Sequence, residues 1–493
     1  MLVASAYLVS LSTLRLDFFD MSAFLDAGYR VASGQRPYTD FFFNAGPVHL
    51  YWYALFISLF GFGQVAIKAY LAFGASIYVG AMYVIARKAG SWPRWLCAIA
   101  AAAGGIVFYG PISHPWYDQN AVWPLALALA LLELLRPEDL PRRRMLVALA
   151  CGALVAVSIF TKLNIGVAGA GLIALRIALF APRLLLHFGY ALIAAAALIL
   201  FSLGSMTGIA DFIFHTMLAY NQGQRLADWR KLLLVVVHSS YSWVFAAAVV
   251  ALLMRGPRSR ILMAAAVAAT GIFGAWTGSM DPAANLVWLP IALCYLWAGS
   301  VSVPVRPGLR RAFLVALFAI TAWLAYDGFA KAASVAVWNW KPSNVKADYQ
   351  LRTPGFEGWW CNAAIGRGLD AAVEAVNRMV PQGDSLMVFP DATLIYGMTG
   401  RESLRGAPFV FHLGVSPPPG LLYFEFRERM LKNPPAWWLI HQQEEPKLSN
   451  ARLILSWLDL QEMFAANYEL VWKAEAFSLY RLKAGAGRPG KAE

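Results

Sequence analysis

Apolar residues recur along this chain in runs of roughly 20, parted by short polar stretches, and that rhythm predicts helices that cross a membrane. The runs fall at 2–18, 65–86, 95–112, 121–135, 145–160, 165–181, 185–206, 232–254, 261–277, 285–303 and 311–329. A further run, 47–62, carries Tyr51, Trp52 and Tyr53 and is short for a span, so it is expected to be re-entrant or interfacial. Residues 1–18 have no basic segment before them and no cleavage motif after. They read as the first membrane helix rather than a signal peptide, and the natural start can lie upstream.

The polar stretches orient this set. With eleven spans and a cytoplasmic N-terminus, the inner loops carry Arg87, Lys88 and Arg94, then Arg136 and Arg142 to Arg144, Arg183, Arg255, Arg258 and Arg260, and Arg306, Arg310 and Arg311. The outer loops carry few basic residues, with none at 113–119 or 278–284. Basic residues favour the cytoplasmic side, so this asymmetry puts the loop after the first span outside. Counting 47–62 as a span would invert every later loop.

After about residue 331 the pattern changes. An aromatic, irregular stretch gives way to alternation of another kind: a helix at 368–380, buried strands at 385–390 and 435–441, a helix at 450–464 and a hairpin at 468–482. The expectation is a polytopic α-helical membrane protein of about eleven transmembrane helices. Residues 1–330 would form the membrane domain, with outer loops at 19–64 and 113–119. Residues 331–483 would form a small extracytoplasmic α/β domain, and 484–493 a disordered tail.

Composition sharpens this in two ways. Only 14% of the 493 residues are charged, against 59% hydrophobic, too little charge for a soluble enzyme of this length. The net charge of +13 would suit nucleic acid, but its residues sit in short loops between apolar runs, where topology and lipid headgroups account for them. Cys97, Cys151 and Cys294 lie in apolar runs and Cys361 stands apart, so no disulfide framework or metal pair is legible. No phosphate-cradling glycine motif, HExxH or zinc spacing occurs. His412 and His441 are isolated and read as structural.

The chemistry-bearing residues gather on the outer side. The stretch from Asp20 to Pro47 holds Asp20, Asp26 and Asp40 with Arg30 and Arg36, and begins as a short amphipathic helix expected to lie at the membrane surface. The second outer loop holds His114, Trp116, Tyr117, Asp118 and Asn120. Carboxylates at this depth can take a proton from an acceptor or help hold a divalent cation, while acids that merely face water are the plain alternative. Asp118 could instead cap a helix starting at Ala121. Lys162 at the outer end of its helix suits a lipid phosphate or simply snorkels. Arg225, Arg230 and Lys231 are further candidates for headgroup or phosphate, with a plain surface role as the alternative. Asp281 before Pro282 reads as a turn.

The first loop also resembles a known family. Asp20, Tyr29, Gly34, Pro37-Tyr38, Asp40-Phe41-Phe42 and Gly46-Pro47 resemble the first outer loop of the GT-C superfamily, in its bacterial membrane glycosyltransferases related to protein O-mannosyltransferases and lipid A aminoarabinose transferases. Where that loop often begins with an Asp-Glu pair, Met21 stands here after Asp20, and Asp26 could substitute for the second acid. The resemblance implies transfer of a sugar from a polyprenyl-phosphate donor to a glycan, lipid or protein acceptor at the outer, periplasmic face of a bacterial inner membrane, with inversion. It makes Asp20, Asp118 and Asp26 the catalytic candidates and Lys162, with Arg225 and Arg230, the donor-phosphate candidates. Tyr38, Asp40, His114, Tyr117 and Asn120 would line the substrate site. A divalent cation, Mg or Mn, could neutralise the phosphate, though no ligand cage is legible. A transporter or a lipid-linked glycan flippase is the rival class. A transporter would place its charges near the midplane, whereas these lie at outer helix ends.

Overall fold

The computed structural model describes residues 20–43, 45–90, 92–109, 116–213, 229–238, 240–253, 258–277, 287–301, 348–406, 421–442 and 450–485, with isolated positions between 302 and 347. The expected span at 2–18, and all but isolated positions of that at 311–329, lie outside the described residues, as do His114, Arg225, Asp281, His412 and residues 486–493 of the expected 484–493 tail.

The apolar runs are helices. In chain order they are α1 (Asp20–Ala32), α2 (Pro47–Phe60), α3 (Gln64–Lys88), α4 (Arg94–Tyr109), α5 (Tyr117–Glu133), α6 (Pro141–Ile159), α7 (Leu163–Phe180), α8 (Leu185–Phe201), α9 (Met206–Ile213), α10 (Trp229–His238), α11 (Ser240–Leu253), α12 (Arg258–Thr277) and α13 (Leu289–Val301). Among the described residues four stretches are long and apolar enough to cross a membrane: α3, α7, α12, and α8 with the 3-10 turn that leads into it. The 14 residues of α2, at about 1.5 Å each, fall short of a hydrocarbon core of about 30 Å, as its composition predicted.

Packing follows sidedness. α5 touches α3, α6 and α7, and its residues Ala121, Val122, Leu125, Ala126, Ala128 and Leu129 are all buried. α8 is the opposite case. It packs on α6, yet leaves Leu186, Tyr190, Ile193, Leu198 and Phe201 exposed, the apolar surface that lipid tails would cover. α12 joins α7, α11 and α13 into the same bundle.

Residues beyond 348 build a different object. A two-residue ladder, β1 (Tyr349–Gln350) with β2 (Trp360–Cys361), precedes α14 (Ala363–Met379). A four-stranded sheet follows in the order β3 (Leu386–Phe389), β4 (Trp437–His441), β6 (Phe477–Leu482), β5 (Tyr468–Ala474). β3 and β4 run parallel; β4 with β6 and β6 with β5 run antiparallel. β3 and β4 are buried at every position, which is why their sequences are continuous apolar runs rather than alternating ones. Short helices α15 (Ile395–Met398) and α16 (Leu421–Lys432) lie between them. The single helix expected at 450–464 is two, α17 (Ala451–Trp457) and α18 (Gln461–Asn467), because Asp459 turns the chain with a positive φ of 52°.

The expectation for α1 needs correcting. Rather than lying on a membrane surface, the helix is buried from Met21 to Ala27, Asp26 included. α2 packs on one side and α15 on another, so the polar stripe that reads as a solvated face meets protein instead.

Candidate active site

The first loop is shaped by its punctuation. Gly34 ends α1 with φ +88°, and Tyr38 follows in the left-handed region at φ +64°. Asp40 closes the turn by accepting the Arg36 backbone N–H at 2.8 Å, and Pro37 bridges to Phe41. Gly46 then meets the turn between α6 and α7. Its N–H donates to the Thr161 carbonyl at 3.1 Å and Val48 N–H to the Phe160 carbonyl at 3.1 Å. A Cβ at position 46 would stand 1.8 Å from the Phe160 carbonyl oxygen, so only glycine permits this approach. Pro47 opens α2 at a position where a missing N–H costs nothing. The Gly46-Pro47 pair thus seats α2 directly beside Lys162.

Lys162 precedes α7 in an extended conformation, with its N–H bonded to the Ser158 carbonyl at 2.9 Å. Ser158 in turn donates its hydroxyl to the Ala121 carbonyl at 2.7 Å, tying the end of α6 to α5. The Lys162 ammonium points inward rather than snorkelling. It lies 3.7 Å from Asp118 Oδ1 and 4.0 Å from the centre of the Tyr117 ring, and the residue is only 7% exposed. A buried ammonium is tolerable because the carboxylate and the ring face offset its lost hydration. Asp118 does not cap a helix starting at Ala121. α5 begins at Tyr117, and Asp118 stands within its first turn, where the helix dipole favours negative charge.

Aromatic rings wall this pair. Phe24 of α1 sits 5.1 Å from Trp116 and 5.3 Å from Tyr117, which themselves stack at 4.4 Å. Phe24 also meets His49 edge-on at 5.1 Å. His49 Nδ1 is 3.1 Å from the Tyr70 hydroxyl and 3.3 Å from the Asn120 amide nitrogen. His49 is not among the candidates that the sequence singles out. A lone imidazole at the start of the aromatic 47–62 helix was the available signal.

The expected site residues therefore divide. Tyr117, Asp118, Asn120 and Lys162 come together. Asp20 opens α1, one turn before Phe24, and its side chain lies outside the described residues. Asp26 goes elsewhere: it is fully buried and paired with Arg30 at 2.8 Å. Burial pushes its carboxyl up from the usual range, against the pull of Arg30 and Ser403. Arg230 is exposed at the start of α10, 5.7 Å above Trp229, and no described contact joins it to Lys162. The Tyr38 hydroxyl is held by the Ala45 carbonyl, and Asp40 faces Arg405 at 3.5 Å. Both line a separate cavity of about 70 Å³ with Asp211, Glu425 and Arg429. Among the described residues no group of three or more His, Cys, Asp and Glu stands close enough to hold a metal ion.

Comparison with known proteins adds the fold. The chain aligns along nearly its whole length with two crystal structures of ArnT from Cupriavidus metallidurans. The first, bound to undecaprenyl phosphate, gives a TM-score of 0.59 at 19% identity over 99% of this chain and 97% of that one. The second, in the apo state, gives 0.55 at 17% identity over 99% and 98%. No family model matches, and no curated protein matches. The chain thus shares the fold of these two ArnT structures.

Proposed function

We propose that this protein is a membrane glycosyltransferase that moves a sugar from a polyprenyl-phosphate donor to an acceptor at the outer face of the membrane. The observation that carries the reading is the buried Lys162 ammonium against Asp118 and Tyr117, beneath α1, in a chain with the ArnT fold. The undecaprenyl phosphate held by ArnT supports a lipid phosphate as the ligand. The loop-charge asymmetry supports the periplasmic side.

In this reading Asp118 holds the ammonium before the donor arrives, and Lys162 then meets the donor phosphate as a compact charge. Asp20 removes the acceptor proton. The acceptor oxygen or nitrogen forms a bond to the anomeric carbon as the bond from that carbon to the phosphate oxygen breaks. Polyprenyl phosphate leaves with the electron pair, and Lys162 stabilises the charge it gains. Attack opposite the phosphate inverts the anomeric centre.

The test is transfer of radiolabelled sugar from polyprenyl-phosphate donors by the purified protein in lipid vesicles. Transfer to an acceptor is expected, and Asp20→Asn should reduce it about 100-fold or more while leaving the protein folded. Uptake or flipping of substrate without transfer would overturn the reading in favour of a transporter or flippase.

A further inference from the structure

One face of α1 looks toward the Lys162 pair through Phe24; another is buried against residues 391–405. Ser22 accepts the Leu394 N–H at 2.9 Å and lies 3.4 Å from the Thr393 hydroxyl. One turn on, Asp26 accepts the Ser403 hydroxyl at 2.5 Å and Arg30 Nε at 2.8 Å. Arg30 reaches the Leu404 carbonyl at 2.9 Å, and the Gln35 amide donates to the Ser403 carbonyl at 2.7 Å. Ser22, Asp26 and Arg30 are spaced four apart, so they form one stripe down the helix. All three are at most 1% exposed.

Residues 391–405 are themselves braced at both ends. Asp391 bonds to Nδ1 of His441, the last residue of β4, at 2.7 Å. The Arg401 guanidinium donates to the Pro381, Val376 and Val380 carbonyls at 2.8, 3.1 and 2.5 Å, at the C-terminal end of α14. A strap fixed to the C-terminal sheet region therefore grips α1 at two points. Apolar side chains would hold the surfaces together at less desolvation cost; a matched polar stripe also fixes the register between them.

We propose that this strap is a positioning element for the transfer reaction. Ser403, acting through the Asp26–Arg30 pair, holds α1 at the rotation and depth that present its first turn to Lys162 and Asp118. The proposal rests on the function inferred above. The physical need is plain: a 13-residue helix is marginal alone, and a displacement of about 1 Å at a reacting group can cost about 100-fold in rate. The C-terminal region would then set the catalytic geometry without touching substrate.

The experiment compares Ser403→Ala and Ser403→Thr with wild type, well below their melting temperatures. It also uses a Ser22→Cys/Thr393→Cys pair to lock the strap by a disulfide. Ser403→Ala is expected to lower turnover about 5- to 30-fold with donor affinity unchanged, and Ser403→Thr to restore most of it. Hydrogen exchange should quicken across 21–32 and stay slow across 117–133 and 163–180. The locked protein should keep wild-type turnover. Unchanged turnover and exchange in Ser403→Ala would overturn the proposal. So would a locked protein that loses turnover tenfold until reduced, since the strap would then have to leave α1. If wild type transfers no sugar, the functional reading falls and the exchange measurement alone decides the strap.

Discussion

Two buried ion pairs, one within α1 and one beside it, are built differently. Asp26 and Arg30 meet at 2.8 Å on one helix, and both carboxylate oxygens receive a described hydrogen bond, one from Arg30 and one from Ser403. Lys162 and Asp118 meet across two helices at 3.7 Å, beyond the 2.7–2.9 Å typical of a charge-assisted hydrogen bond, with an aromatic face beneath the ammonium. A tight pair between short-range neighbours is a structural bolt. A pair drawn from separate elements at longer range is the one whose cation, in the proposed function, meets the donor phosphate. Two oppositely charged pairs, buried to a similar degree, thus differ in build: one is closed within a helix, and the other is the pair to which the proposed function gives the ligand chemistry.

The largest expected effect breaks the bolt. Arg30→Met leaves Asp26 buried without its cation, and breaking a buried pair in this way costs about 3–5 kcal/mol. Thermal or denaturant unfolding should show that loss. The donor affinity of the protein that remains folded should match wild type. A donor affinity that fell in step with stability would merge the two pairs into one unit.

Next comes the other pair. Lys162→Met keeps the stem and deletes the charge, so donor binding should weaken about 10- to 150-fold, the worth of one charge-assisted contact of roughly 1.5–3 kcal/mol. Lys162→Arg should retain part of the affinity, because charge survives while geometry changes. Acceptor binding should change little. Titrating each variant with polyprenyl phosphate checks this. If Lys162→Met binds it as wild type does, the phosphate lies elsewhere, and the Lys162 pair becomes a second bolt.

The sequence disclosed the elements better than their surroundings. Helices α3 to α8 and strands β3 and β4 fall where the apolar runs put them, because burial on all sides or in lipid writes itself as uninterrupted apolar sequence. Gly46-Pro47 was legible as a motif, but not its reason, since the Phe160 carbonyl it meets is over a hundred positions away. The polar stripe of α1 misled for the same cause. A helical face of Ser, Asp and Arg looks the same in sequence whether water or the 391–405 strap covers it. The resemblance makes Asp26 a spare catalytic acid, and nothing in the sequence marks Ser403, 377 residues on, as its partner. Lys162 and Asp118 were each legible as candidates; their pairing was not.

The smallest effect concerns the ring under Lys162. Tyr117→Leu removes the aromatic face 4.0 Å from the ammonium and leaves the carboxylate in place. If the ring only helped to bury the lysine, it would act equally with and without donor, and the variant would lose stability alone. The geometry argues for more. Asp118 draws the ammonium from one direction and the ring supports it from another, so the face steadies the charge as a phosphate approaches. A desolvated cation–π contact is worth up to about 2 kcal/mol, and only the part that differs between bound and empty states reaches the affinity. Tyr117→Leu should therefore weaken donor binding about two- to five-fold, beyond any fall in melting temperature, and Tyr117→Phe should recover most of it because the ring face returns. Measured by donor titration and thermal unfolding on the same samples, an affinity equal to wild type in Tyr117→Leu would confine the ring to packing and leave Lys162 and Asp118 to distinguish the two pairs by themselves.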